Sequence, residues 1–160
     1  MTDQQRPASS QVTQAQQATR AYPHSIAPGF ADFFAGLADH RLRVRLCTRC
    51  SAIQWPPRLW CANCGGDDFG GADIDGRGVV HTFTVVHRGL DAWFSSRVPY
   101  GIVVADLGRG IRLTGNYLGD DLERLRCGLP VRARYETMDG RTYLGWAPAQ
   151  AGWDAPGRTS

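Results

Sequence analysis

Four of the five cysteines stand in two pairs, Cys47-Thr48-Arg49-Cys50 and Cys61-Ala62-Asn63-Cys64, with ten residues between the pairs. A two-residue spacer lets both thiolates of a pair turn onto one ion, and two such knuckles complete a tetrahedral sulfur site. Gly65 directly after the second pair permits the positive-φ backbone that such a turn often needs. The spacing predicts a structural Zn²⁺ held by Cys47, Cys50, Cys61 and Cys64. Iron suits the same four thiolates. A redox dithiol would need only one CxxC pair, preferably opening a helix, and fortuitous cysteines are the remaining alternative. Four thiolates leave no open position for water, which disfavours hydrolytic chemistry at the metal. The segment carries little apolar core, so metal binding supplies much of its folding free energy, about 10–16 kcal/mol in model fingers. Cys127, before Gly128, stands alone and reads as a small buried hydrophobe rather than a nucleophile.

An odd cysteine count disfavours the closed disulfide framework of a secreted chain. The first residues lack the charged-then-apolar pattern of a secretory signal, and no apolar run approaches the roughly 20 residues of a membrane helix. The expectation is a soluble, cytoplasmic protein. Hydrophobic residues are 42% and charged residues 21% of the 160, an ordinary globular balance that excludes collagen-like, fibrous and fully disordered classes. That length fits one compact unit, or two small ones sharing a core. All 18 basic residues are Arg, so any anion site here is planar and bidentate. The net charge of +3 does not by itself argue for nucleic acid.

Residues 1–24 are polar and rich in Gln, Ser, Thr and Ala, too poor in apolar surface to offset ordering entropy, and read as a disordered arm. Within 25–42, Phe30, Phe33, Phe34, Leu37 and Ala38 recur with helical spacing. Pro28 suits the first turn and Asp32 the positive end of the helix dipole, and the helix runs to about His40. A helix this short is marginal alone, so its Phe face must dock within the chain or on a partner. Residues 43–75 hold the cysteine knuckles. Residues 76–150 turn to β texture, with strands expected near 78–88, 100–107, 111–118, 131–137 and 143–147. An acidic helical turn, Asp120 to Leu125, falls between the third and fourth strands, which is the element order of an OB barrel. Residues 151–160 read as a loose tail.

The chain shows no evident catalytic constellation. His24 and His40 flank the helix and read as solvated, while His81 and His87 share one strand face. Asp106 to Gly110 reads as a hairpin turn. The connection Gly89 to Val98 carries Trp93 and Phe94, which points either to a ligand channel or partner surface or to a loop folded onto the barrel. Trp55, Leu59 and Trp60 raise the same choice in the knuckle segment, where Pro56-Pro57-Arg58 stiffens the connection.

These residues resemble a family that joins a rubredoxin-like zinc ribbon to an OB fold, long labelled a domain of unknown function and associated with acyl-CoA. The resemblance runs from about Phe30 to Pro148. It rests on FADFFAGL at 30–37, the paired cysteines, Pro56-Pro57-Arg58, and GRGVVHTFTVVHR at 76–88. Pro99 to Ala105, Gly128-Leu129-Pro130-Val131 and the closing aromatic strand complete it. It implies a mainly β chain with an N-terminal helix, a zinc ribbon and then a five-stranded OB barrel. It further implies a non-catalytic accessory subunit of a thiolase-, aldolase- or hydratase-like enzyme, with steroid or aromatic-acid degradation as plausible settings. The barrel would lie against the enzyme and shape an acyl-CoA channel, with coenzyme A thioester as a shared ligand. Phe30, Phe33, Phe34, Trp93, Phe94 and Tyr100 are the expected partner or channel residues, and Arg88, Arg97 and Arg112 the expected contacts of the CoA phosphates.

Two other readings compete. One is a single-stranded nucleic-acid module, with Phe83, Tyr117 and Tyr135 as stacking platforms. The other is an independent thioesterase or hydratase, for which no engine is visible.

Overall fold

The computed structural model describes residues 29–89, 92–138 and 140–149. The expected arm at 1–24, Pro28, His24 and the tail at 151–160 lie outside the described residues, as do the side chains of Ala92 and Trp93.

Helix α1, Ala31–Ala38, opens without a side-chain cap and carries Asp32 in its first turn, where the helix dipole favours an anion. It closes in a Schellman motif. The His40 amide donates to the Leu37 carbonyl at 3.0 Å and the Arg41 amide to the Gly36 carbonyl at 2.7 Å. His40 takes the left-handed position at φ 57°, normally a glycine's place. Its ring lies flat on Tyr135, with centroids 5.2 Å apart.

The ribbon is a three-stranded antiparallel sheet in the order β2-β1-β3, built from β1 (Leu42–Cys47), β2 (Ile53–Gln54) and β3 (Phe69–Ile74). Helix α1 lies on β1 at Gly36, where a Cβ would sit 2.7 Å from the Arg43 Cβ, so only glycine allows the approach. Part of the expected apolar stripe docks inside the chain: Leu37 is buried in the same core cluster as Leu42 and Phe33 packs against it, while Phe34 and Ala38 are exposed.

The barrel contains β4 (Arg77–Val86), β5 (Tyr100–Asp106), β6 (Arg112–Tyr117), β7 (Pro130–Met138) and β8 (Arg141–Pro148). It closes in the order β4-β5-β6-β8-β7, with β7 returning to β4 and only the β6–β8 pair parallel. A four-residue helix α2, Ala92–Ser95, lies between β4 and β5, and a 3₁₀ turn, Leu122–Arg124, between β6 and β7. The strands alternate sharply, as in Tyr100–Asp106, where Gly101, Val103 and Ala105 face inward. Trp146, Leu113, Val103, Val80 and Val131 fill the interior, each at most 1% exposed. Burial of such side chains contributes about 1.5–3 kcal/mol each. The result is the OB barrel expected from the element order. Among the described residues, no helix is long and apolar enough to cross a membrane.

Candidate metal centre and partner surfaces

Each knuckle is an α-turn closed by a backbone bond. The Ser51 amide donates to the Cys47 carbonyl at 2.9 Å, and the Gly65 amide to the Cys61 carbonyl at 2.9 Å. The residue after each second cysteine is left-handed, Ser51 at φ 56° and Gly65 at φ 69°. Gly65 was legible as the turn glycine, whereas Ser51, its counterpart, carries no such signal.

The four sulfurs of Cys47, Cys50, Cys61 and Cys64 lie within 4.8 Å of one another. Cys47 and Cys64 are 3.6 Å apart at sulfur, as are Cys50 and Cys61. Sulfurs at the corners of a tetrahedron with Zn–S bonds of about 2.3 Å would be about 3.8 Å apart. A disulfide requires about 2.05 Å. The cluster therefore has the size of a metal cage and not of two disulfides, and the donor set fits Zn²⁺.

Polar groups around the sulfurs orient them. The Asn63 amide donates to the Cys61 sulfur at 3.4 Å. Gln54, buried in the ribbon, offers its amide nitrogen to the same sulfur at 3.5 Å while its carbonyl oxygen takes the Ala62 amide at 3.1 Å. Among themselves the four thiols are electrostatically uneven. Hydrogen bonds from the Asn63 side chain and the Ala52 backbone lower the Cys50 thiol to about 6. Cys64 accepts the Gly66 amide, which favours its thiolate, yet the sulfurs of Cys50, Cys47 and Cys61 and burial together push it up to about 12. A divalent ion removes that conflict by neutralising charge at the centre. The ion would serve as a staple, since four sulfurs close its coordination sphere.

The ribbon is joined to the helix and barrel through Trp55. Its indole nitrogen donates to the Arg112 carbonyl at 2.8 Å. The Phe33 ring packs on it at 4.9 Å and the Phe30 ring edge-on at 5.6 Å. Two of the three helix phenylalanines thus meet inside the chain, while Phe34 is 45% exposed. Phe94 stacks on Tyr100 at 5.7 Å between α2 and β5, so the second aromatic group forms a separate cluster.

The three arginines expected at CoA phosphates are not brought together. Arg88 and Arg97 are exposed at the end of the barrel where β5 begins. Arg112 is at the other end, bound through Nε to Asp106 at 3.2 Å. The length of β5, about 20 Å, separates them. Cys127 is exposed, which corrects the expectation of a buried thiol: the turn that leads into β7 faces solvent. The three aromatics considered as a base-stacking platform do not share a surface either. Tyr117 is buried in the barrel core and Tyr135 is covered by His40, leaving only Phe83 outward.

A metal-sized Cys₄ ribbon running straight into a closed five-stranded OB barrel defines the class of protein. The family models agree with this division: "ChsH2, rubredoxin-like zinc ribbon domain" matches residues 34–70 and "ChsH2, C-terminal OB-fold domain" matches residues 72–136. Together they cover more than half of the chain, and the chain belongs to this family.

A probable enoyl-CoA hydratase alpha subunit of Thermomonospora curvata is 29% identical over 101 residues, 63% of this chain and 31% of the relative. The 3-oxo-4,17-pregnadiene-20-carboxyl-CoA hydratase alpha subunit of Mycobacterium tuberculosis is 29% identical over 119 residues, 74% of this chain and 37% of the relative. A DUF35 domain-containing scaffold protein of Methanocaldococcus jannaschii is 31% identical over 93 residues, 58% of this chain and 65% of the relative. The chain therefore spans about a third of the length of the two hydratase subunits. Among solved structures, a chain of the Ltp2-ChsH2(DUF35) aldolase superposes with a TM-score of 0.70 at 26% identity, covering 78% of this chain and 97% of that one. None of these relatives is named for binding nucleic acid, and the nucleic-acid reading has no support from them.

Proposed function

We propose that this chain is a non-catalytic accessory subunit of an acyl-CoA-processing complex. The enzyme subunit that it joins, of aldolase, hydratase or thiolase type, supplies the reacting groups. The observation that carries this reading is the sealed Cys₄ cage: the donor set that most resembles an active site here has no position left for substrate. The relatives support it, since they are an alpha subunit of two hydratases, a scaffold protein and a component of an aldolase.

In this reading the zinc-stapled ribbon holds α1 and β1 in place, and the barrel lies beside the partner's acyl-CoA channel. Coenzyme A thioester is then a ligand of the complex. Arg88 and Arg97, at the same barrel end as the Phe94–Tyr100 stack, would then be the arginines that meet it. The pregnadiene-carboxyl-CoA relative favours a bulky, steroid-like acyl group. Four reduced thiols suit the cytoplasm.

The test is co-expression of this chain with an aldolase-, hydratase- or thiolase-type subunit from the same organism. A single gel-filtration peak containing both chains at micromolar concentration, with turnover of an acyl-CoA by the complex and none by this chain alone, is the expected result. Two separate peaks, or thioester turnover by the isolated chain, would overturn the reading.

A further inference from the structure

The segment between the two knuckles is held at both ends and bare at its tip. Trp55 at its start is fixed to the barrel through the Arg112 carbonyl at 2.8 Å. At its middle the Arg58 carbonyl accepts a hydrogen bond from Arg45 Nη1 at 2.9 Å. The Arg45 guanidinium is itself laid over the Phe69 ring at 4.1 Å. At its end Cys61 is buried in the sulfur cluster. Between these anchors Leu59 is 66% and Trp60 is 64% exposed.

Single exposed apolar side chains are ordinary, but an adjacent Leu-Trp pair at this exposure is not. Nor is the pair there to support the fold, because the core cluster and its partly buried neighbours include neither residue. Presenting a Trp on a restrained backbone reduces the ordering entropy that docking would otherwise cost. Trp and Arg are also the side chains that most often carry interface energy. The charge beside the pair is positive. Arg58 and Arg49 are exposed, and among the described residues neither has a carboxylate within ion-pair distance.

We propose that Arg58-Leu59-Trp60 is a preformed docking knob. Leu59 and Trp60 enter an apolar pocket on the enzyme subunit, and the pocket rim carries carboxylates that meet Arg58 and Arg49. This rests on the accessory-subunit reading and names the surface by which it is met. It is distinct from the Phe94–Tyr100 end of the barrel assigned to the acyl-CoA channel.

The experiment uses the full chain and the enzyme subunit that co-purifies with it. Trp60→Ser and the double variant Leu59→Ser/Trp60→Ser weaken the complex about 30-fold or more, the scale of a hot-spot truncation. Phe83→Ser, which removes an exposed aromatic from the barrel wall, leaves it unchanged. Metal content and melting temperature of the Trp60 variants stay at wild-type values, showing that the loss is one of docking and not folding. Arg58→Glu and Arg49→Glu keep the apolar anchor but flatten the salt dependence of association. Equal affinity of wild type and the Trp60 variants overturns the docking assignment and leaves the accessory-subunit reading standing. If no enzyme subunit binds the wild-type chain, both fall. A Trp60-dependent dimer of the chain alone would assign the knob to a second copy and overturn the proposal.

Discussion

The indole nitrogen of Trp55 donates to the backbone carbonyl of Arg112 at 2.8 Å, across 57 positions of sequence. One side chain thereby ties the metal ribbon to the opening residue of β6, and the rings of Phe30 and Phe33 close over it from α1. Trp55→Phe keeps most of the ring contact and loses the hydrogen bond, so it should cost about 1 kcal/mol. Trp55→Ala removes both and should cost about 3 kcal/mol or more. Urea denaturation of the metal-loaded protein measures both losses, and wild-type stability in Trp55→Phe would show that the bond to Arg112 contributes nothing.

Cys61→Ser removes a buried sulfur that also accepts from Asn63 and Gln54. The variant should bind less than one equivalent of Zn²⁺, and amide hydrogen exchange should rise across β1 and β3 before it rises in the barrel. A variant with full metal content and a native melting curve would refute the structural role of the metal.

Thiol counting separates the five cysteines. Cys127 is exposed and outside the cage, so a thiol reagent such as Ellman's should react rapidly with one thiol per chain while metal is bound. Chelator and denaturant together should raise the count to all five. More than one fast thiol in the metal-loaded chain would mean that the cage is open.

Asp106 gives the β5–β6 turn an acid limit. The Gly108 amide bonds its carboxylate at 2.8 Å and Arg112 stands at 3.2 Å, and these hold its pKa below the ordinary 3.8. A depressed folded-state pKa means that the native chain binds fewer protons than the unfolded one. The stabilisation is thus present above about pH 4 and is lost as the pH falls from there through the folded value. Asp106→Asn keeps an oxygen for Gly108 but cannot ionise. Its stability should lie below wild type at neutral pH and converge with it in acid. A constant gap across that range would remove Asp106 from the acid response.

Gly115→Ala tests how firmly the barrel is closed. A Cβ there would sit 2.6 Å from the Leu144 carbonyl oxygen and 3.0 Å from the Trp146 indole, with Trp146 wholly buried. The neighbouring strands are held on both sides, so the clash should cost about 1–3 kcal/mol in chemical denaturation. A neutral substitution would mean that β6 and β8 can part without loss.

Much of this was readable from residue order because it is governed by local rules. Two CxxC pairs define a cage through spacing alone, and alternation with Gly-bearing turns marks strands whatever their partners. Leu37 was legible as a core residue from its helical period. The relationships that escaped depend on distant parts of the chain. Nothing around Trp55 indicates that its indole will find a carbonyl at Arg112. Ser51 takes a left-handed turn without being Gly or Asn. Tyr117 looks like a strand aromatic free to stack with bases, yet it faces inward because the β6–β8 pairing turns that side of the strand to the core. Cys127 was misjudged because cysteine is usually buried, and only the path of the turn before β7 exposes it. The likeness of Arg88, Arg97 and Arg112 in composition concealed that a strand's length divides them.

Only Asp75 and Gly76 separate the last ribbon strand from the first barrel strand, and the Ala133 amide grips the Gly76 carbonyl at 2.7 Å. Inserting a single residue there would turn β4 by half a pleat and send Gly78 and Val80 outward. Ribbon and barrel consequently behave as a single casting: a fluorescent protein or affinity handle grafted at this seam would wreck both halves, whereas the β7–β8 hairpin, beyond the reach of that constraint, offers a place where added sequence leaves the alignment alone.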